Sequence, residues 1–101
     1  MNSDVKLWAK FRTRTNEESH IALTPILFWV LDEAGDYIAY VLSPASIHPI
    51  GYALPCTHNS IRETFGEMQG FILHDNLADE IAKLKEWVAK DDDNRSLYIY
   101  P

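Results

Sequence analysis

Ile26-Leu27-Phe28-Trp29-Val30-Leu31, then Asp32-Glu33-Ala34-Gly35-Asp36, then Tyr37-Ile38-Ala39-Tyr40-Val41-Leu42: this stretch decides the fold. Two β-prone apolar runs flank a short link that contains a glycine. Gly35 has no Cβ and can enter the left-handed region that a tight turn requires, so the stretch predicts a β-hairpin. Every position in both runs is hydrophobic, so both faces of the hairpin carry apolar side chains. Something has to cover that surplus: the Ser43–Asn59 segment, a second copy of the chain, or a different protein.

Upstream, Val5, Leu7, Ala9 and Phe11 alternate with Lys6, Trp8, Lys10, Arg12 and Arg14, the period of a half-buried strand. On that pattern Trp8 shares the wet face with the cations. Thr15–His20 is polar and reads as a loop. Downstream, Pro44, Pro49 and Pro55 exclude a helix between Ser43 and Asn59. Ile50, Tyr52 and Leu54 alternate there, which fits a short strand near a sheet edge.

The helical half starts at Ser60, which with Glu63 makes a capping-box pattern. Ile61, Phe65, Met68 and Ile72 follow at helical spacing and predict a helix over 60–73, weakened by Gly66 and Gly70. A second helix is expected over 76–90, capped by Asn76, with Leu77, Ile81, Leu84 and Val88 as its apolar stripe. Asp79–Lys83 and Glu86–Lys90 are i,i+4 pairs on its wet side. Asp91–Asn94 reads as a loop, because acids are unfavourable at a helix C-terminus, and Leu97–Tyr100 as a closing strand.

The expected fold is α+β: a small antiparallel sheet built on a hairpin meander, both helices packed on one face, and a final short strand. Residues 1–101 have room for one domain. The core is expected from Val5, Leu7, Phe11, Leu27, Trp29, Ile38, Tyr40, Phe65, Met68, Ile81, Leu84 and Val88.

Composition narrows the function classes. The chain is 47% hydrophobic and 24% charged, unlike a disordered segment. No apolar run reaches membrane-spanning length, and Met1-Asn2-Ser3-Asp4 does not open a secretory signal. One cysteine makes no internal disulfide, so a reducing cytoplasm is expected. The net charge of -6 disfavours non-specific binding to nucleic acid or anionic lipid. Residues 1–15 nevertheless carry Lys6, Lys10, Arg12 and Arg14 against Asp4 alone, a basic end on an acidic body. Opposite-charge contacts between that end and the body are the simplest expectation.

No set of residues demands catalysis. Cys56 and His58, with His48 near in sequence, lack the oriented base that a thiolate nucleophile needs. His48, Cys56, His58 and His74 do not match paired zinc-ligand spacings. Glu63 and Glu67 stand at i,i+4 and read as solvated helix glutamates. The four glycines form no phosphate-cradling loop. The sequence therefore points to a non-enzymatic acidic protein, without cofactor or metal, that binds and modulates another macromolecule, foremost a protein. Inhibitors of bacterial defence and immunity proteins for nuclease toxins have this general profile, as do accessory subunits. Two surfaces compete: the acids Glu63, Glu67, Asp79, Glu80 and Glu86 with Asp91–Asp93, and Trp8 with Lys6 and Lys10. Self-association is compatible with the two-sided hairpin and with Tyr98 and Tyr100. The alternatives are nucleic-acid binding through the basic first strand, and a small Cys/His enzyme or ligand-binding domain.

Overall fold

The computed structural model describes residues 6–43 and 53–100. Along the chain it runs β1 (Leu7–Arg14), β2 (Ser19–Leu31), β3 (Tyr37–Leu42), β4 (Ala53–Pro55), α1 (Asn59–Phe65), β5 (Glu67–Leu73), α2 (Leu77–Ala89) and β6 (Arg95–Ile99). A single 3-10 turn, His74–Asn76, leads into α2. The sheet has six strands in the order β4-β3-β2-β1-β5, all antiparallel, with β6 joined to β2 in parallel. The α+β class, the antiparallel sheet and the closing strand are as the sequence predicts.

The hairpin forms where expected. Gly35 has φ +88, its N–H donates to the Asp32 carbonyl, and the Asp32 carboxylate accepts from the Asp36 N–H at 2.8 Å. The proline-flanked strand is β4, at the sheet edge, and Pro55 sits inside it. Ile50 and Tyr52 lie outside the described residues.

The expected 60–73 helix is instead a short helix followed by a strand. Gly66 ends α1 with φ +104, a conformation that only glycine adopts without strain. A Cβ at Gly66 would run into the Arg12 carbonyl and the Thr13 hydroxyl, so the missing side chain is also what lets the chain turn tightly past β1. Beyond it, Glu67–Leu73 pairs with β1 and alternates exposed with half-buried residues. Met68 and Ile72 face opposite sides of the sheet, Met68 with Phe11 and Ile72 with Trp8. Gln69 is the extra residue at the break in register between Lys10 and Phe11. The cap also moves: His58, not Ser60, caps α1, its Nδ1 accepting from the Ser60 N–H at 3.0 Å.

The helices lie on opposite faces of the sheet, not on one. Ala9, Phe11, Ala22, Ile26, Ala39 and Val41 pack with Cys56, Ile61 and Phe65 under α1. Trp8, Ile21 and Leu23 pack with Leu84 under α2, with Ile72, Ile81 and Trp87 against them. Strand alternation supplies both cores at once, since successive residues point to opposite faces. This corrects two expectations. Trp8 is buried at 8% exposure, because α2 covers the face that alternation assigns to water. In the hairpin, Ile26, Ala39 and Val41 are buried, whereas Ile38 and Tyr40 are half-buried and Leu27 and Trp29 are exposed. Strand alternation turns Ala39 and Val41 to the α1 core and Ile38 and Tyr40 away from it, and β2 has a break in register at Leu27, where Ile26 faces Val41 but Phe28 faces Tyr40. Val5 falls outside the described residues.

Candidate functional site

The β2–β3 arm is the part of the sheet that the cores leave uncovered. Pairing between β1 and β2 runs as far as Trp8 and Pro25, and past that point β2 pairs with β3. Leu27, Phe28, Trp29, Val30, Leu31, Tyr37 and Leu42 are all exposed, Tyr37 to 69%. Cross-strand partners share a face, so Trp29 and Leu31 lie with Ala39 and Tyr37 on the α1 side. Trp29 meets Phe71 of β5 there, ring centroids 5.3 Å apart, and Leu73 extends the patch. On the other side Phe28 stacks on Tyr40 at 5.1 Å, beside Val30 and Ile38. The arm's tip carries Asp32, Glu33 and Asp36.

The expected contact residues do not gather into one surface. Glu63 and Glu67 are exposed and line a hollow of about 630 Å³ with Arg12, Arg14 and Arg62. Asp79 and Glu86 are exposed on α2, across the sheet from α1. Glu80 is half-buried and binds Lys10 at 2.9 Å, so the basic first strand does meet the acidic body. Neither Asp79–Lys83 nor Glu86–Lys90 closes as an ion pair among the described residues. Asp91–Asp93 form the exposed turn after α2, where Asn94 Nδ2 donates to the Asp91 carboxylate. Lys6 is exposed and its carbonyl accepts from the His74 N–H. Trp8 donates its indole N–H to His74 Nδ1 at 3.1 Å and offers no free stacking face beside the lysines.

Among the described residues, Cys56 is packed in the core and His58 and His74 have structural partners. Cys56 is buried, and burial pushes its thiol up to about 11, away from thiolate chemistry at neutral pH. His58 is committed to the α1 cap and His74 to Trp8. His48 lies outside the described residues. No group of three or more His, Cys, Asp or Glu suited to a metal ion occurs among the described residues. None of their helices is long and apolar enough to cross a membrane.

Two features went unread in the sequence. Phe71 and Leu73 join the arm's patch only because residues 67–73 are a strand, and Arg95 reaches Arg12 only because β6 runs parallel to β2. Compared with known proteins, the chain matches no family model, no curated sequence and no solved structure.

Proposed function

We propose that this chain is a non-catalytic protein-binding module, of inhibitor, immunity or accessory type, whose β2–β3 arm enters an apolar cleft on its partner. One observation carries this: large apolar side chains are exposed on both faces of the same two strands. Scattered exposed apolar residues are ordinary, but a contiguous aromatic-rich patch is the composition of an interface core. Charge narrows the partner. No Lys or Arg occurs between Arg14 and Arg62, and the arm's tip adds three acids, so the cleft would carry basic groups on its rim. The carboxylates of Glu63, Glu67, Asp79 and Glu86 then steer the encounter from a distance. The burial of Trp8 weighs against the alternative of nucleic-acid binding along the first strand. The module would act without a cofactor, in a reducing compartment where Cys56 stays a thiol.

A photocrosslinker at Tyr37, introduced in the native host, tests this by capturing whatever the arm touches. The captured protein is then purified and its affinity measured for the wild type, for Leu31→Ser/Tyr37→Ser and for Glu63→Lys/Glu67→Lys. The arm variant should bind at least about 30-fold more weakly, the scale of an interface hot spot. The charge variant should mainly slow association. Full binding by the arm variant overturns the proposal. Crosslinking of the chain only to itself reassigns the arm to self-association, and crosslinking only to RNA or DNA restores the nucleic-acid reading.

A further inference from the structure

On a chain with net charge -6, guanidiniums should find carboxylates easily. None of the four arginines does so among the described residues. The carboxylate contacts there are Lys10–Glu80 and His20–Glu18, which leaves Arg12, Arg14, Arg62 and Arg95 without an acid. Sheet register brings Arg12, Arg14 and Arg95 together. Arg14 of β1 faces Ser19 of β2, and Ser19 faces Arg95 of β6, so the three stand abreast on adjacent strands spaced about 4.8 Å apart. Arg12, two residues before Arg14, points to the same side and donates from Nε to Ser19 Oγ at 3.0 Å. Its guanidinium lies 5.6 Å from the Trp87 ring centroid, and that of Arg95 lies 5.0 Å from the same ring. Arg95 also donates from Nη1 to the Trp87 carbonyl at 2.9 Å. Neutral groups thus hold two guanidiniums in place without cancelling their charge. Burial, then Arg14 and Arg95, lower the pKa of Arg12, so the three cations repel one another.

We propose that Arg12, Arg14 and Arg95, gathered around the Ser19 hydroxyl, form a binding site for a dianionic tetrahedral oxyanion: inorganic phosphate or a phosphomonoester. Guanidinium forks match phosphate oxygens in geometry, and three positive charges exceed what one carboxylate would neutralise. The Ser19 hydroxyl accepts from Arg12 and keeps its own proton to donate to the anion. Two guanidiniums already occupy Trp87, so the site reads an oxyanion and not a stacked base. Arg12 and Arg14 also wall the 630 Å³ hollow, which Arg62, Glu63 and Glu67 line on its other side and which leaves room for the rest of an ester. The acid nearest in register is Glu67, opposite Arg12 on β5, and it opposes the anion without pairing with the arginine. Ser19 and the arm's tip lie at opposite ends of β2, so this site stands independently of the arm.

The test is an NMR titration of the full chain at constant ionic strength with inorganic phosphate, phenyl phosphate and acetate. Saturable shifts of the Trp87 indole and of arginine Nε signals are expected with both phosphates, and the tighter of the two identifies the source. Acetate should bind about tenfold more weakly. Arg14→Ala, which removes an exposed side chain, should weaken phosphate binding about tenfold, and Glu67→Gln should strengthen it. Lys6→Ala, at the far end of β1, should leave it unchanged. Absence of saturable shifts up to about 20 mM phosphate, well above a millimolar dissociation constant, overturns the proposal. Equal weakening by Lys6→Ala and Arg14→Ala also overturns it, since net charge alone would then explain the binding.

Discussion

The two halves of β2 are alike in composition and opposite in fate. Ile21–Ile26 sits between β1 on one side and β6 and β3 on the other, with a helix over each face, and Leu23 has no exposed surface. Leu27–Leu31 continues the same strand, is at least as apolar, and is exposed throughout, Leu31 to 55%. Hydrophobicity states a demand for cover, and neighbouring elements decide whether it is met. Within one chain, α1, α2 and β6 cover the first half of β2 and leave the second half exposed.

That contrast is open to direct attack. Leu23→Ala should cost about 2–5 kcal/mol of unfolding free energy, because the cavity lies between β1 and β6 where little can collapse into it. Gly66→Ala should cost roughly 2–3 kcal/mol, from the positive φ and the collision with β1, and chemical denaturation reads both. Cys56 belongs to the covered region and should show it through pH. Its thiol titrates at about 11 in the fold against 9.0 for the free group, so the unfolded chain loses this proton first. The stability it contributes is complete below 9.0 and is lost as pH rises toward 11, so the difference between wild type and Cys56→Ala should shift over that window. A double-mutant cycle on Lys10 and Glu80 should return less than about 1 kcal/mol, since both side chains remain partly wet. Leu31→Ser should change stability by no more than about 0.5 kcal/mol, the mark of an apolar residue whose partner is not its own fold. A large loss there would make the arm part of the core.

Local chemistry was legible and tertiary cover was not. The turn at Gly35 needs only its own few residues, and they specify it. The break in helix at Gly66 was not read, because glycine there only weakens a helix and the collision with Arg12 and Thr13 that makes it obligatory comes from β1. Ile61, Phe65, Met68 and Ile72 satisfy a helical period by accident of a helix that passes straight into a strand. Alternation in β1 correctly separates Trp8, Lys10 and Arg12 from Ala9 and Phe11, but nothing in a strand's own residues tells whether one face or both will be covered. Trp8 was misplaced for that reason. Of the candidate site, the hairpin's surplus of apolar side chains was visible from composition. The Arg12–Arg95 proximity requires knowing that β6 arrives parallel to β2.

That parallel pairing also sets the order in which the molecule can be made. Of the described elements β6 is synthesised last, yet it lies beside the strand on which the whole sheet is founded. Its backbone joins at both ends of the contact, Asn94 accepting from the Ser19 N–H and Tyr100 donating to the Leu23 carbonyl. A chain still emerging from the ribosome therefore carries β2 with one side open until residues 95–100 are free. Pairing across nearly the full length of a chain is slow, because loop closure precedes any gain from contact. Among the described strands β6 is thus the last to be made, and until it pairs, that side of β2 is a strand edge for chaperones to shield.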